Sequence, residues 1–125
     1  MIDTKYFTPN EAIKTLPLVR KIVEDILNEG RELKLLAEDL DGKVEGNPKV
    51  QYHLQNIQKY IDELSEIGCF YKDWNFNLGL VDFPAIINGK EVFLCWKSDE
   101  DSIRYYHDID AGFINRKLIP EEYYI

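Results

Sequence analysis

From Ala12 onward, apolar and small residues recur at Ala12, Leu16, Val19, Val23, Ile26, Gly30, Leu33, Ala37 and Leu40. Steps of four and three keep all of them on one stripe of an α-helix. Just ahead of the stripe, Thr8-Pro9-Asn10-Glu11 has the form of a capping box, with Thr8 as cap, Pro9 in the first turn and Glu11 placed to reach back. Pro17 lies within the pattern and removes a backbone donor, so a kink is expected near Thr15 to Pro17, with the main helix from Leu16 to Leu40. The next segment, Asp41 to Pro48, combines Gly42, Gly46, Asn47 and Pro48, the residues of a helix stop followed by a helix start. Val50, Leu54, Ile57, Ile61 and Leu64 then repeat the same spacing, and Gly68 stands where a left-handed cap would end the second helix. Residues 1–68 therefore predict an antiparallel helical hairpin whose two stripes face each other.

After Gly68 the period changes. Of the 16 aromatic residues, 12 fall in the last 57 positions, within short runs separated by turn residues. Cys69 to Lys72 reads as a first strand and Asp73 to Asn77 as a turn. Asn88-Gly89 suits a two-residue type I′ hairpin joining Leu80–Ile87 to Lys90–Trp96. That turn sets a register: Ile87 opposes Lys90, Ala85 opposes Val92, Phe83 opposes Leu94 and Val81 opposes Trp96, which makes one face apolar. On the other face Pro84 meets Phe93 and Asp82 meets Cys95, with Pro84 a candidate bulge. Ser98 to Asp101 either caps a short helix running through His107 or turns into a strand, Ser102 to His107; the strand is preferred, and it would bring Arg104 beside Cys95 to complete a row Asp82, Cys95, Arg104. A slip of one residue would put Tyr105 and His107 there instead. Lys117 to Ile125 has no readable pattern. The fold class is α+β: a long antiparallel helical hairpin on a small antiparallel β meander (69–125), in one domain spanning 1–125.

Charge narrows the partners. The net charge of −8 is spread evenly, 13 acids against 9 bases in residues 1–68 and 10 against 6 in residues 69–125. With no cluster of Lys and Arg, no nucleic acid or anionic membrane is expected as a partner. The opening Met1 to Lys5 lacks the apolar core of a secretory signal. The longest strictly apolar run, Val92 to Trp96, is far below the ~18 residues of a membrane span, so a cytoplasmic protein is expected. Cys69 and Cys95, far apart and outside any CxxC, read as free thiols.

Several blocks together resemble a known family. Gly79-Leu80-Val81-Asp82-Phe83-Pro84-Ala85, Leu94-Cys95-Trp96, Tyr106-His107-Asp108 and Ala111-Gly112-Phe113 with Arg116, together with Phe7-Thr8-Pro9, Glu11-Ala12 and Leu16-Pro17, resemble domain-of-unknown-function family 2203. That family is uncharacterised, so the resemblance implies no activity, cofactor or site residue.

Candidate chemistry rests on few residues. Asp82, His107 and Cys95 supply a carboxylate, an imidazole and a thiol, and Arg104 and Arg116 are candidate anchors for an anionic ligand. Their spacings match no metal-ligand or triad signature, so no metal site is assigned, and nothing selects a cofactor, substrate or reaction. Cys95 within Val-Phe-Leu-Cys-Trp reads as a core thiol, Asp82 as an ion-pair partner and His107 as a structural hydrogen bonder. Asp108 to Gly112 fails as a calcium loop, because Phe113 and Ile119 stand where an EF-hand needs Gly and Glu. Ile13, Leu18, Ile22, Leu27, Leu35 and Leu36 lie off the first stripe and predict a noncatalytic homodimer formed through the helices as a four-helix bundle. The alternative is a small-molecule or metal-binding enzyme using Asp82 and His107.

Overall fold

The computed structural model describes residues 4–124. Met1 to Asp3, within the opening segment, and Ile125, the last residue of the patternless tail, lie outside the described residues. The first helix, α1, runs from Pro9 to Asp39. It starts on the capping box: Glu11 N–H donates to the Thr8 hydroxyl at 3.1 Å, and Thr8 N–H donates to the Glu11 carboxylate at 2.9 Å. Pro17 does not divide it, contrary to the expected start of the main helix at Leu16. Ala12, Leu16 and Val19 are buried on both sides of the proline, and this continuous packing outweighs the one lost backbone bond.

The second helix, α2, spans Pro48–Ile67. Asn47 caps it, accepting from the N–H groups of Lys49 and Val50 at 2.9 and 3.3 Å, and Gly68 ends it at φ 110°, a conformation that favours glycine. Glu29 ties the pair together by bonding His53 at 2.5 Å and Asn56 at 3.2 Å. The hairpin and its seams are as expected near the sheet and less regular away from it. The core shared with the sheet takes in α1 only as far as Leu27 and α2 only from Tyr60 onward; beyond Gly30, whose backbone lies against Phe76, and Lys34, which bonds Asn77 at 2.7 Å, the helices pack on each other. Leu33, Ala37 and Leu40 are consequently half-buried, and Leu54, expected inside, is 45% exposed. Ile22, expected on the outer surface, is buried in the core.

Five strands follow in simple order, all antiparallel: β1 (Phe70–Tyr71), β2 (Leu80–Ile87), β3 (Lys90–Lys97), β4 (Tyr105–Asp108) and β5 (Lys117–Leu118). The β2–β3 hairpin turns on Asn88 and Gly89, both at positive φ, and its register is the expected one from Ile87↔Lys90 to Val81↔Trp96. Pro84 opposes Phe93 without a bulge, and the N–H of Phe7 reaches its carbonyl at 2.7 Å, so the strand segment makes a bond on its outer edge. Ser98 to Arg104 is turn and loop; the strand begins only at Tyr105. Val81, Phe83, Ala85, Ile87, Val92, Leu94 and Trp96 form the apolar face, buried with Ala12, Leu16, Val19, Val23 and Ile26 of α1. Among the described residues no helix is long and apolar enough to cross a membrane.

Candidate metal centre

The opposite face of the sheet holds the two buried charged or titratable polar residues found among the described residues, Asp82 and His107. Alternation along the strands puts them there. Asp82 opposes Cys95 on β3, while β4 pairs Phe93 with His107 and Cys95 with Tyr105. Asp82 and His107 thus lie on strands either side of β3, and their side chains meet at 3.1 Å, Nε2 to Oδ1. The expected row through Arg104 is therefore wrong by one residue of phase. Arg104 lies outside this cluster, about half exposed, in an ion pair with Asp101 at 2.6 Å. A seven-residue connection of bends and turns leads into β4, and no turn rule sets which side chains then point to which face.

Three potential ligand atoms converge here: an Asp82 carboxylate oxygen, Cys95 Sγ and a His107 ring nitrogen all lie within 4.8 Å of one another, on buried residues. The His107 ring is held in one orientation, because its Nδ1 lies 2.8 Å from the Asp108 carbonyl. A carbonyl only accepts, so Nδ1 carries the proton and Nε2 presents its lone pair toward Asp82. A hydrogen bond between that lone pair and Oδ1 then requires a proton shared by the two atoms. Burial pushes the Asp82 carboxyl above its ordinary range, and the His107 ring offsets part of that rise. Burial likewise pushes the Cys95 thiol up to about 12, with the Asp82 carboxylate adding to the effect and Arg116 opposing it. A thiol in that state is a poor nucleophile.

Arg116, unlike Arg104, belongs to the site's surroundings. It follows a one-turn 3₁₀ segment, Phe113–Asn115, entered through Gly112 at φ 73°. Its guanidinium bonds Glu100 at 2.9 Å and lies 4.2 and 4.5 Å from the ring centres of Tyr105 and Phe113. Arg116 is thus a neutralised support for Cys95. Two residues went unread in the sequence. Glu100 reaches Arg116 from a turn that it closes on Lys97, and nothing in the local pattern signals that contact. Lys72 was within reach of sequence reasoning, since its N–H bonds the Leu80 carbonyl at 2.8 Å and so continues β1 with Phe70 on the face of Asp82.

A cavity of about 300 Å³ opens over the three groups, bordered by Asp82, Cys95 and His107 below and by Lys72, Phe93 and Phe113 around it. In tetrahedral zinc sites, metal–oxygen and metal–nitrogen distances near 2.0 Å and metal–sulfur near 2.3 Å put ligand atoms about 3.3–3.6 Å apart. The Asp82–His107 separation, 3.1 Å, already has that scale, and the remaining ones, at most 4.8 Å, need to close by up to about 1.5 Å.

Comparison with the curated proteins and with the solved structures found no match. The family model described as "Uncharacterized conserved protein (DUF2203)" matches residues 5–119. Of the sequence blocks on which the family resemblance rests, the four after Gly68 each supply a residue to this one site, Asp82, Cys95, His107, and Phe113 with Arg116, whereas those at Phe7 to Pro17 belong to the start of α1. The chain belongs to the DUF2203 family.

Proposed function

We propose that this protein binds a divalent metal ion of the zinc type through Asp82, Cys95 and His107, leaving one coordination position turned to the cavity. The carrying observation is the convergence of one carboxylate oxygen, one sulfur and one imidazole nitrogen from three adjacent strands, all on buried residues. Thiolate and imidazole together favour zinc over magnesium or calcium, and three protein ligands with an open fourth position is the pattern of catalytic rather than structural zinc sites. The Asp108 carbonyl on Nδ1 is the outer partner that a ligating histidine needs. A bound cation would take the position of the shared proton and hold Cys95 as thiolate. Chemically, such a centre supplies a Lewis acid and an activated water to a small molecule in the cavity.

Metal content measured after purification without chelator, followed by zinc titration against a chromophoric chelator, tests the reading. One ion per chain is expected, lost in Cys95→Ser and in His107→Ala variants whose circular dichroism is unchanged. Failure to retain or bind zinc or cobalt in the micromolar range would overturn it.

Self-association through the helices is the second reading, supported by the exposed side chains of Leu18 and Leu35 on α1 and Leu54 on α2. Ile22 cannot take part, and Ile13 and Leu27 pack against the core, so the surface available is smaller than the sequence pattern implied. A solution mass of one chain at tens of micromolar would exclude it. Residence in the cytoplasm, without nucleic acid or membrane as partner, remains part of the reading, supported by the net charge of −8 and two buried free thiols.

A further inference from the structure

Lys72 is an exposed cation at the mouth of the cavity, and among the described residues it makes no salt bridge, whereas Lys97 pairs with Asp99 and Arg116 with Glu100. Its ammonium lies 5.6 Å from the Phe93 ring centre, leaning over the wall of the cavity. Phe113, Ile109 and Leu80 also line the cavity. The space above the three ligand atoms is thus apolar on its sides, with one positive charge at its rim that acts on Asp82 through space and makes no salt bridge among the described residues.

Charge bookkeeping at the floor points the same way. The carboxylate of Asp82 and a Cys95 thiolate together cancel a dication, while His107 contributes no charge. Lys72 then leaves the loaded site with an excess of one positive charge, in a chain that is otherwise acidic. An anion drawn to that charge would complete the metal's coordination and pack its body between the two phenyl rings. Resting on the metal-binding reading, we propose that the site takes a small carboxylate with an apolar body, its carboxylate on the metal and beside Lys72, its body against Phe93 and Phe113. A single unpaired lysine matches a monoanion better than a phosphate, whose second charge would meet no partner here. A volume near 300 Å³ suits a molecule about the size of a substituted benzene ring.

Cobalt-loaded protein provides the test, because the sulfur-to-cobalt absorption reports the metal and the visible bands report its open position. Benzoate is the probe, with benzamide as its neutral counterpart and inorganic phosphate as the competing anion. Benzoate is expected to shift the visible bands at millimolar concentration, benzamide to leave them unchanged, and phosphate to act more weakly than benzoate. Lys72→Gln should bind cobalt as the parent does and bind benzoate about tenfold more weakly. A loaded site whose bands ignore benzoate, or respond equally to benzamide, or respond equally in Lys72→Gln, would overturn the carboxylate assignment while leaving the metal site standing. Stronger binding of phosphate would replace the carboxylate by a phosphoryl ligand and equally overturn it. Absence of the sulfur-to-cobalt absorption would instead remove the metal site and this inference together.

Discussion

The two faces of the central hairpin are made by the same sixteen residues taken alternately, yet they obey opposite rules. On the helix side, Val81, Phe83, Leu94 and Trp96 are almost wholly buried against α1, and their stabilisation comes from apolar area removed from water. The other side is covered by no α-helix among the described residues. A loop bearing Ile109, Gly112 and Phe113 closes over it incompletely, and beneath lie a carboxyl, a thiol and an imidazole that would each be better solvated in the unfolded chain. One face thus stabilises the fold, and the other retains groups that work against it. Stability alone would favour apolar side chains at Asp82 and His107, and a ligand of the kind proposed would account for their presence.

Substitutions on the two faces should separate these roles. Phe83 is fully buried and meets Phe7 edge-to-face, with ring centres 5.3 Å apart, so Phe83→Ala should cost about 3–5 kcal/mol in urea unfolding. A loss below about 1 kcal/mol would mean that the apolar face is not the main source of stability. Gly79, just before β2, faces α1 so closely that an added Cβ would run into Val23 Cγ1 and approach Ser98 Cβ at 3.1 Å. Since Val23 is stiff and buried, Gly79→Ala should cost about 1–3 kcal/mol. The helix-side face also has one flaw. Among the described residues the buried Tyr71 hydroxyl has no hydrogen-bond partner, and burial pushes its pKa upward, so Tyr71→Phe should raise stability by about 1 kcal/mol. An unchanged or lower unfolding midpoint would show that this hydroxyl finds a partner in solution.

How far each face could be read from sequence follows from what set its geometry. The Asn88-Gly89 turn admits one register for eight residue pairs, so both faces of β2 and β3 were legible, including Asp82 across from Cys95. The capping box at Thr8 and the terminal Gly68 were legible for a similar reason, since each satisfies backbone groups within a few residues. The phase of β4 had no such local rule. A one-residue difference there decided whether Arg104 or His107 met Asp82, and the candidate site depended on it. Pro17 and Leu54 were misjudged for a complementary reason. Whether a helix tolerates a proline, or exposes a stripe residue, depends on how far the sheet extends beneath it, which no local pattern encodes.

The smallest expected effect tests the comparison most directly, because its sign differs between the two rules. In chelator-treated protein, Asp82→Asn keeps the shape of the side chain and offers an amide N–H to His107 Nε2, which carries the lone pair when Nδ1 donates to the Asp108 carbonyl. The cost of a buried carboxylate is removed. Burial holds the Asp82 carboxyl above its ordinary value of 3.8, so its contribution to stability is fully present below that value and is lost as pH rises through the higher folded-state value. Asparagine does not titrate. Relative to wild type, the variant should therefore gain stability with rising pH, reaching an advantage of about 1 kcal/mol near neutrality and little or none at about pH 4. Urea unfolding of both proteins across that range measures the difference. With saturating zinc the order should reverse, because a bound ion stabilises the wild type in proportion to its affinity and the amide is a weak ligand. If Asp82→Asn is instead less stable than wild type at neutral pH without metal, Asp82 and His107 form a net stabilising ion pair, and this face would then need no ligand to account for its buried charges.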